Sequence, residues 1–141
     1  MQRGLVDILT KSGNLNSYIW HDQHSNLAVL SAGELTDSPS NLLISKRFSS
    51  CLAILRSQYD YIIIDSPPSL LVSDALIIGQ HSDFNILVTR SNKSKMSDLN
   101  STIELLAKHG VSTNGIILNQ EPLKNNKRYQ YYYKREVALA S

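Results

Sequence analysis

This 141-residue chain predicts an α/β fold: a partial doubly wound, mostly parallel sheet with helices between its strands. Three observations carry the prediction. The run Tyr61-Ile62-Ile63-Ile64 is apolar without alternation, the pattern of a strand buried on both faces inside a parallel sheet. The run delivers a carboxylate, Asp65, at the strand's carboxyl end, where open α/β sheets place their ligands. Around it, strand-like and helix-like segments alternate along the chain, as βαβ units do.

Taken in order, Gly4 to Thr10 reads as a short helix with Leu5, Ile8 and Leu9 on one face. Leu27 to Leu30 is a short strand, ending in the turn-like Ser31-Ala32-Gly33. Pro39-Ser40 opens a helix, with Ser40 as a candidate N-cap. Ile44, Phe48, Cys51, Leu52 and Leu55 then recur at helical spacing and are expected to face the sheet. The central strand ends at Asp65, and Pro67 and Pro68 bar any continuing ladder. A helix is expected from Ser73 to about Gln80, then a strand from Phe84 to Val88 ending at Thr89-Arg90. Ser94 or Ser97 caps a helix bearing Met96, Leu99, Ile103 and Leu106, stopped by Gly110. Gly115 to Leu118 forms a last strand ending at Asn119. The expected organisation is one domain over residues 1–120 and a polar, basic, tyrosine-rich tail over 121–141.

Composition narrows the class. An apolar fraction of 42% and a charged fraction of 18% describe a globular chain rather than a disordered one. No apolar run reaches the roughly 18 residues that span a bilayer, and the first residues lack a signal-peptide pattern. A single cysteine, Cys51, excludes an internal disulfide and a Cys-rich zinc site, which suits a reducing cytoplasm. The net charge of +2 is unevenly spread: Lys124, Lys127, Arg128, Lys134 and Arg135 crowd into the tail, leaving the rest mildly acidic. A body of that charge is not a nucleic-acid footprint.

Asp65 is the leading chemical candidate. A carboxylate at that point can hold a Mg²⁺-bound water beside a nucleotide phosphate, the Walker B role. Its partner would be a phosphate-cradling loop, G-x-x-x-x-G-K-[ST], and no such loop occurs in these residues. Around Lys11-Ser12 the pattern would need glycine at the positions held by Leu5 and Thr10. Without glycines the backbone N–H groups cannot come close to phosphate, so the chain alone is expected not to hydrolyse nucleotide.

Several blocks in order resemble the C-terminal half of the cytoplasmic domain of bacterial tyrosine kinases. These are the capsular and exopolysaccharide autokinases, a branch of the P-loop superfamily that also holds cell-division and partition ATPases. The blocks are Gly4-Leu5-Val6-Asp7-Ile8-Leu9, Ala32-Gly33, Ser38-Pro39-Ser40-Asn41-Leu42-Leu43, Ser45-Lys46-Arg47-Phe48, Tyr59 to Pro68, Asp74-Ala75 and Gly115 to Asn119. The resemblance implies a P-loop-type sheet missing its N-terminal phosphate-loop βαβ unit. It further implies a catalytic and metal-positioning role for Asp65, adenine contact at Asn119, and ATP and Mg²⁺ as cofactors. Tyr129, Tyr131, Tyr132 and Tyr133 are similar to the family's phosphoacceptor cluster. In that family neighbouring protomers of a ring phosphorylate one another, and each phosphate adds about −1.5 to −2 charge, enough together to reverse a basic tail.

The resemblance therefore implies a truncated tyrosine autokinase domain of polysaccharide synthesis and export, inactive alone. Its partners would be intact kinase protomers or a membrane polysaccharide chain-length or export protein, at the inner face of the cell membrane. Two alternatives stay open: a non-catalytic phosphoacceptor or interaction partner of an intact kinase, and a remnant of a partition-type ATPase. Individual residues also have plainer readings. Asp65 alone could cap a turn; Asn119 could end a strand in a turn; Asp74 reads first as helix capping; Arg90 reads first as solvated. His21 and His24 flank Asp22 at a spacing that could clamp a metal, but a solvated loop is favoured.

Overall fold

The structure is a computed structural model that describes residues 3–11, 13–34, 36–69 and 73–121. The chain divides into two compact units, Met1–Ser82 and Asp83–Ser141.

The first unit begins with helix α1, Leu5–Thr10, and a 3₁₀ turn, Leu15–Tyr18, opened by Asn14, whose side chain accepts from the Asn16 N–H. Strands β1, Ile19–His21, and β2, Ala28–Leu30, pair antiparallel as a hairpin, with Trp20 opposite Val29. The sequence reading had β2 but not β1. β2 lies in the apolar run Leu27–Leu30, whereas β1 sets Ile19 and Trp20 against a histidine after a polar stretch, so no apolar run marks it.

Helices α2, Pro39–Ile44, and α3, Lys46–Gln58, replace the single helix expected here. The break is at Ser45, which takes extended backbone and whose side chain accepts from the Phe48 N–H, so it caps α3. α2 starts with Pro39 in its first turn and Ser38 as N-cap, two positions before the expected Ser40. Restarting at Ser45 re-phases the helix, which explains why Phe48, Cys51 and Leu52 are buried while Ile44 is exposed. Leu9, Leu43, Phe48 and Leu52 form the core of this unit, with Leu5, Leu42, Ile77 and Ile78 packed on it. The Phe48 ring meets His81 edge-on at 5.5 Å between centroids. Ile77, Ile78 and His81 arrive with helix α4, Asp74–Gln80, which matches the expected span.

The largest departure is the run Tyr61–Ile64. Its composition predicts a strand buried on both faces, yet all of residues 61–68 are exposed and no ladder includes them. A strand is held by neighbours on its edges, and none pairs with this run among the described residues, where β1 and β2 pair only with each other.

In the second unit, β3, Ile86–Arg90, and β4, Gly115–Asn119, pair in parallel, from Ile86 opposite Gly115 to Arg90 opposite Asn119. Helix α5, Met96–Lys108, links them and completes the expected βαβ unit. It starts from Lys95 with no side-chain cap, so neither Ser94 nor Ser97 caps it; the Ser94 hydroxyl instead accepts from the Arg90 N–H. Gly110, at φ +73°, ends the helix as expected. Thr102, Leu106 and Val111 are buried, while Met96, at the head of the expected stripe, is exposed. The mostly parallel sheet of about four strands is thus one parallel pair and one antiparallel hairpin among the described residues.

Candidate functional site

Asp65 ends the uncovered run and is exposed. Among the described residues no hydrogen bond or ion pair engages its carboxylate. It is not the turn cap of the plainer reading; it is a free acceptor. Pro67 and Pro68 follow it, also exposed, and fix the chain's departure.

Ser73 holds the N-cap position of α4 with no side-chain capping bond, so Asp74 does not have the capping role anticipated for it. It is the first residue of α4, where its charge suits the helix N-terminus, and its Oδ1 accepts from the Ser40 hydroxyl at 2.7 Å. Ser40 also lies 3.1 Å from the Ser73 hydroxyl. This cluster ties the start of α2 to the start of α4, so Asp74 is structurally committed.

In the second unit, Asn119 closes a turn. Its Oδ1 accepts from the Gln120 N–H at 2.8 Å and its carbonyl accepts from the Ser91 N–H at 2.9 Å, while Gln120 takes a left-handed φ of 57°. The Ser91 hydroxyl donates to Glu121 beside it. Arg90, opposite Asn119, is exposed. Asp65 belongs to the first unit and Arg90 and Asn119 to the second, and each is placed within its own unit. Tyr129, Tyr131, Tyr132 and Tyr133 lie outside the described residues.

His21 and His24 are exposed, and Asp22 between them accepts from the Ser25 hydroxyl at 2.6 Å. Among the described residues no group of three His, Cys, Asp or Glu side chains is placed to hold a metal ion. That does not conflict with Mg²⁺ at Asp65. Magnesium keeps several waters and is held by one or two carboxylates together with substrate phosphates, so a single free carboxylate is the expected protein share.

One charged residue escaped the sequence reading. Asp7 is buried, with Oδ2 accepting from the Gly4 N–H at 3.0 Å and Oδ1 from the Lys11 ammonium at 2.6 Å. The Lys11 bond, then the Gly4 N–H, hold its carboxyl below the usual carboxylate range; Asp7 in turn raises Lys11. Gly33, at φ +90°, packs against this pair, and a Cβ there would stand 3.3 Å from Asp7 Oδ2. The signal was available as an Asp–Lys pair at i, i+4 with the acid in the first turn. Cys51 is buried, and burial pushes its thiol up, away from reactivity.

The model of an AAA domain family matches residues 1–117. The chain belongs to this family. Its relatives are bacterial tyrosine-protein kinases. It is 36% identical over 118 residues to the tyrosine-protein kinase ptk of Acinetobacter johnsonii, covering 84% of this chain and 16% of that protein. It is 35% identical over 124 residues to the tyrosine-protein kinase CpsD of Streptococcus pneumoniae, covering 88% of this chain and 55% of that protein. Among solved structures, the VpsO kinase domain superposes with a TM-score of 0.81 at 36% identity, over 86% of this chain and 60% of that one. The kinase domain of Escherichia coli ETK gives 0.79 at 31% identity, over 84% and 46%. The chain thus spans about half of the kinase domains it matches. No helix among the described residues is long and apolar enough to cross a membrane.

Proposed function

We propose that this chain contributes the metal-positioning carboxylate and the acceptor tail of a bacterial tyrosine autokinase acting in polysaccharide synthesis and export. The observation that supports it best is the free carboxylate of Asp65, at the end of an apolar run in a chain whose relatives are tyrosine-protein kinases. Bound Mg²⁺ would neutralise charge developing on the transferred γ-phosphoryl group of ATP. The chain's own share is to orient a magnesium-bound water through Asp65, to contact adenine near Asn119, and to present Tyr129, Tyr131, Tyr132 and Tyr133 as acceptors.

The glycine-rich phosphate loop is not among these residues. Phosphotransfer by the isolated chain is therefore expected to be absent, and acceptance from an intact kinase of the same family is expected to occur. The cleanest test incubates the chain with radiolabelled ATP and Mg²⁺, alone and with the ETK kinase domain. Label on Tyr129–Tyr133 only in the second mixture supports the reading; strong autophosphorylation of the chain alone overturns it. In an assembly that restores phosphotransfer, Asp65→Asn should lower the rate by about 100-fold or more, the scale of losing one preorganised electrostatic contact.

A further inference from the structure

The turn that follows β3 gathers cations that no acid among the described residues pairs with. Of the four Lys and Arg residues between positions 83 and 121, three fall within six positions: Arg90, Lys93 and Lys95. All three are exposed, and none makes an ion pair or a side-chain hydrogen bond among the described residues. Like charges this close repel one another, and here the backbone holds them together. The Arg90 carbonyl accepts from the Lys93 and Ser94 N–H groups at 3.2 and 2.9 Å. The Ser94 hydroxyl accepts from the Arg90 N–H at 2.9 Å, and Asn92 takes a left-handed φ of 58°.

Such a turn fits a compact anion. Two acids flank it: Glu121, which accepts from the Ser91 hydroxyl, and Asp98 in the first turn of α5. They oppose a broad anionic surface such as a bilayer and leave room for a single concentrated charge. Guanidinium and ammonium groups hold a phosphate by charge-assisted hydrogen bonds, the chemistry with which cationic clusters read phosphorylated peptides.

The course of the chain specifies which phosphate. Asn119 lies opposite Arg90 in register, and its carbonyl accepts from the Ser91 N–H, so the chain passes Glu121 beside the turn. Tyr129 stands eight positions past Glu121, a reach of up to about 26–29 Å, ample for a return. Unmodified, residues 122–141 carry five Lys and Arg against the single acid Glu136, a net +4 that the turn repels. Phosphate on Tyr129, Tyr131, Tyr132 and Tyr133 adds about −1.5 to −2 each and brings the segment to about −2 to −4.

We propose that Arg90, Lys93 and Lys95 form a phosphotyrosine-binding turn onto which the phosphorylated tyrosine cluster of the same chain folds back. Phosphorylation then converts a repelled segment into a retained one. The short tether supplies an effective concentration in about the millimolar range, so a weak site is filled. The proposal rests on the acceptor-tail reading for the origin of the phosphates.

The test assembles the full chain by ligation to a synthetic C-terminal peptide phosphorylated at the four tyrosines. Its dephosphorylation by an added tyrosine phosphatase is timed against the free phosphopeptide of residues 122–141. The chain should lose phosphate about tenfold more slowly, independently of its concentration, and its amide NMR signals at 90–95 should shift relative to the unmodified chain. Substituting Arg90→Gln, Lys93→Gln and Lys95→Gln together should restore the free-peptide rate, whereas Lys108→Gln, away from the turn, should leave protection intact. In about 1 M salt, where the screening length is about 3 Å, the chain and the peptide should react alike. Equal rates at low salt overturn the proposal, as does protection that survives the triple substitution. Protection that grows with chain concentration also overturns it, because a neighbouring copy then holds the phosphates. If circular dichroism shows the triple variant misfolded, the pair Lys93→Gln and Lys95→Gln and the salt comparison decide: lost protection supports the turn, and retained protection overturns it. The phosphates are installed chemically, so a kinase that fails to label the tyrosines refutes the acceptor reading and leaves this measurement standing.

Discussion

Truncating Ile63 and Phe48 to alanine separates two accounts of where this chain keeps its core. If Tyr61–Ile64 were packed on both faces, as its composition predicts, Ile63→Ala would cost about 2–5 kcal/mol. In the structure Ile63 is 95% exposed, so the change removes no contact and opens no cavity, and stability should stay within about 0.5 kcal/mol. Phe48 is 3% exposed, sits among Leu9, Leu43 and Leu52, and stacks edge-on against His81. Phe48→Ala should cost about 3–5 kcal/mol, of which about 0.5–1.5 kcal/mol belongs to the aromatic contact. At a urea slope of about 2 kcal/mol/M, the Phe48 variant's midpoint falls by about 1.5–2.5 M while that of the Ile63 variant barely moves. The single tryptophan, Trp20, lies in the unit that holds both sites, so its fluorescence follows the relevant transition. An Ile63→Ala midpoint lowered as far as that of Phe48→Ala would refute the reasoning.

Three further outcomes follow from the first unit. Gly4→Ala places a methyl in collision with the Ser31 carbonyl and 2.5 Å from the Gly33 nitrogen, both backbone atoms that cannot step aside. Moving α1 away sacrifices the Leu5 and Val6 N–H bonds to Ser31 and Ala32, so a loss of about 3 kcal/mol is expected in urea denaturation. The carboxyl of Asp7 is lower in the folded than in the unfolded state, so its contribution is full above the ordinary carboxylate range and is lost as pH falls through the folded value. Asp7→Asn should therefore destabilise the chain at neutral pH and flatten stability against pH below about 4, read from denaturation midpoints over the acid range. Cys51, buried and with its thiol raised, should react with a thiol reagent at the rate of unfolding; rapid labelling under native conditions would contradict its placement.

What the sequence made legible, and what it did not, has a physical pattern. Elements whose signals are local came through: α4 between Ser73 and Gln80, α5 up to Gly110, and the parallel pairing implied by β3–α5–β4. Each depends on a left-handed glycine, a helical stripe or the local alternation of strand and helix. The break at Ser45 was hidden because Ile44 and Phe48 keep helical spacing across it, and a serine at a cap looks the same in sequence as a serine on a helix surface. The Asp7–Lys11 pair was readable in spacing, but its burial comes from the approach of Gly33, 26 positions along the chain.

The run Tyr61–Ile64 is the opposite case. Its composition suits an environment with both faces covered, whereas Tyr61 and Ile63 are 90% and 95% exposed and, among the described residues, no backbone hydrogen bond engages the run. Four residues of that composition are a poor surface for water and a good interior for a sheet. Composition reports the burial a strand is suited to, while coordinates report the burial its neighbours supply. Asp65 sits at the end of that run and shares its exposure.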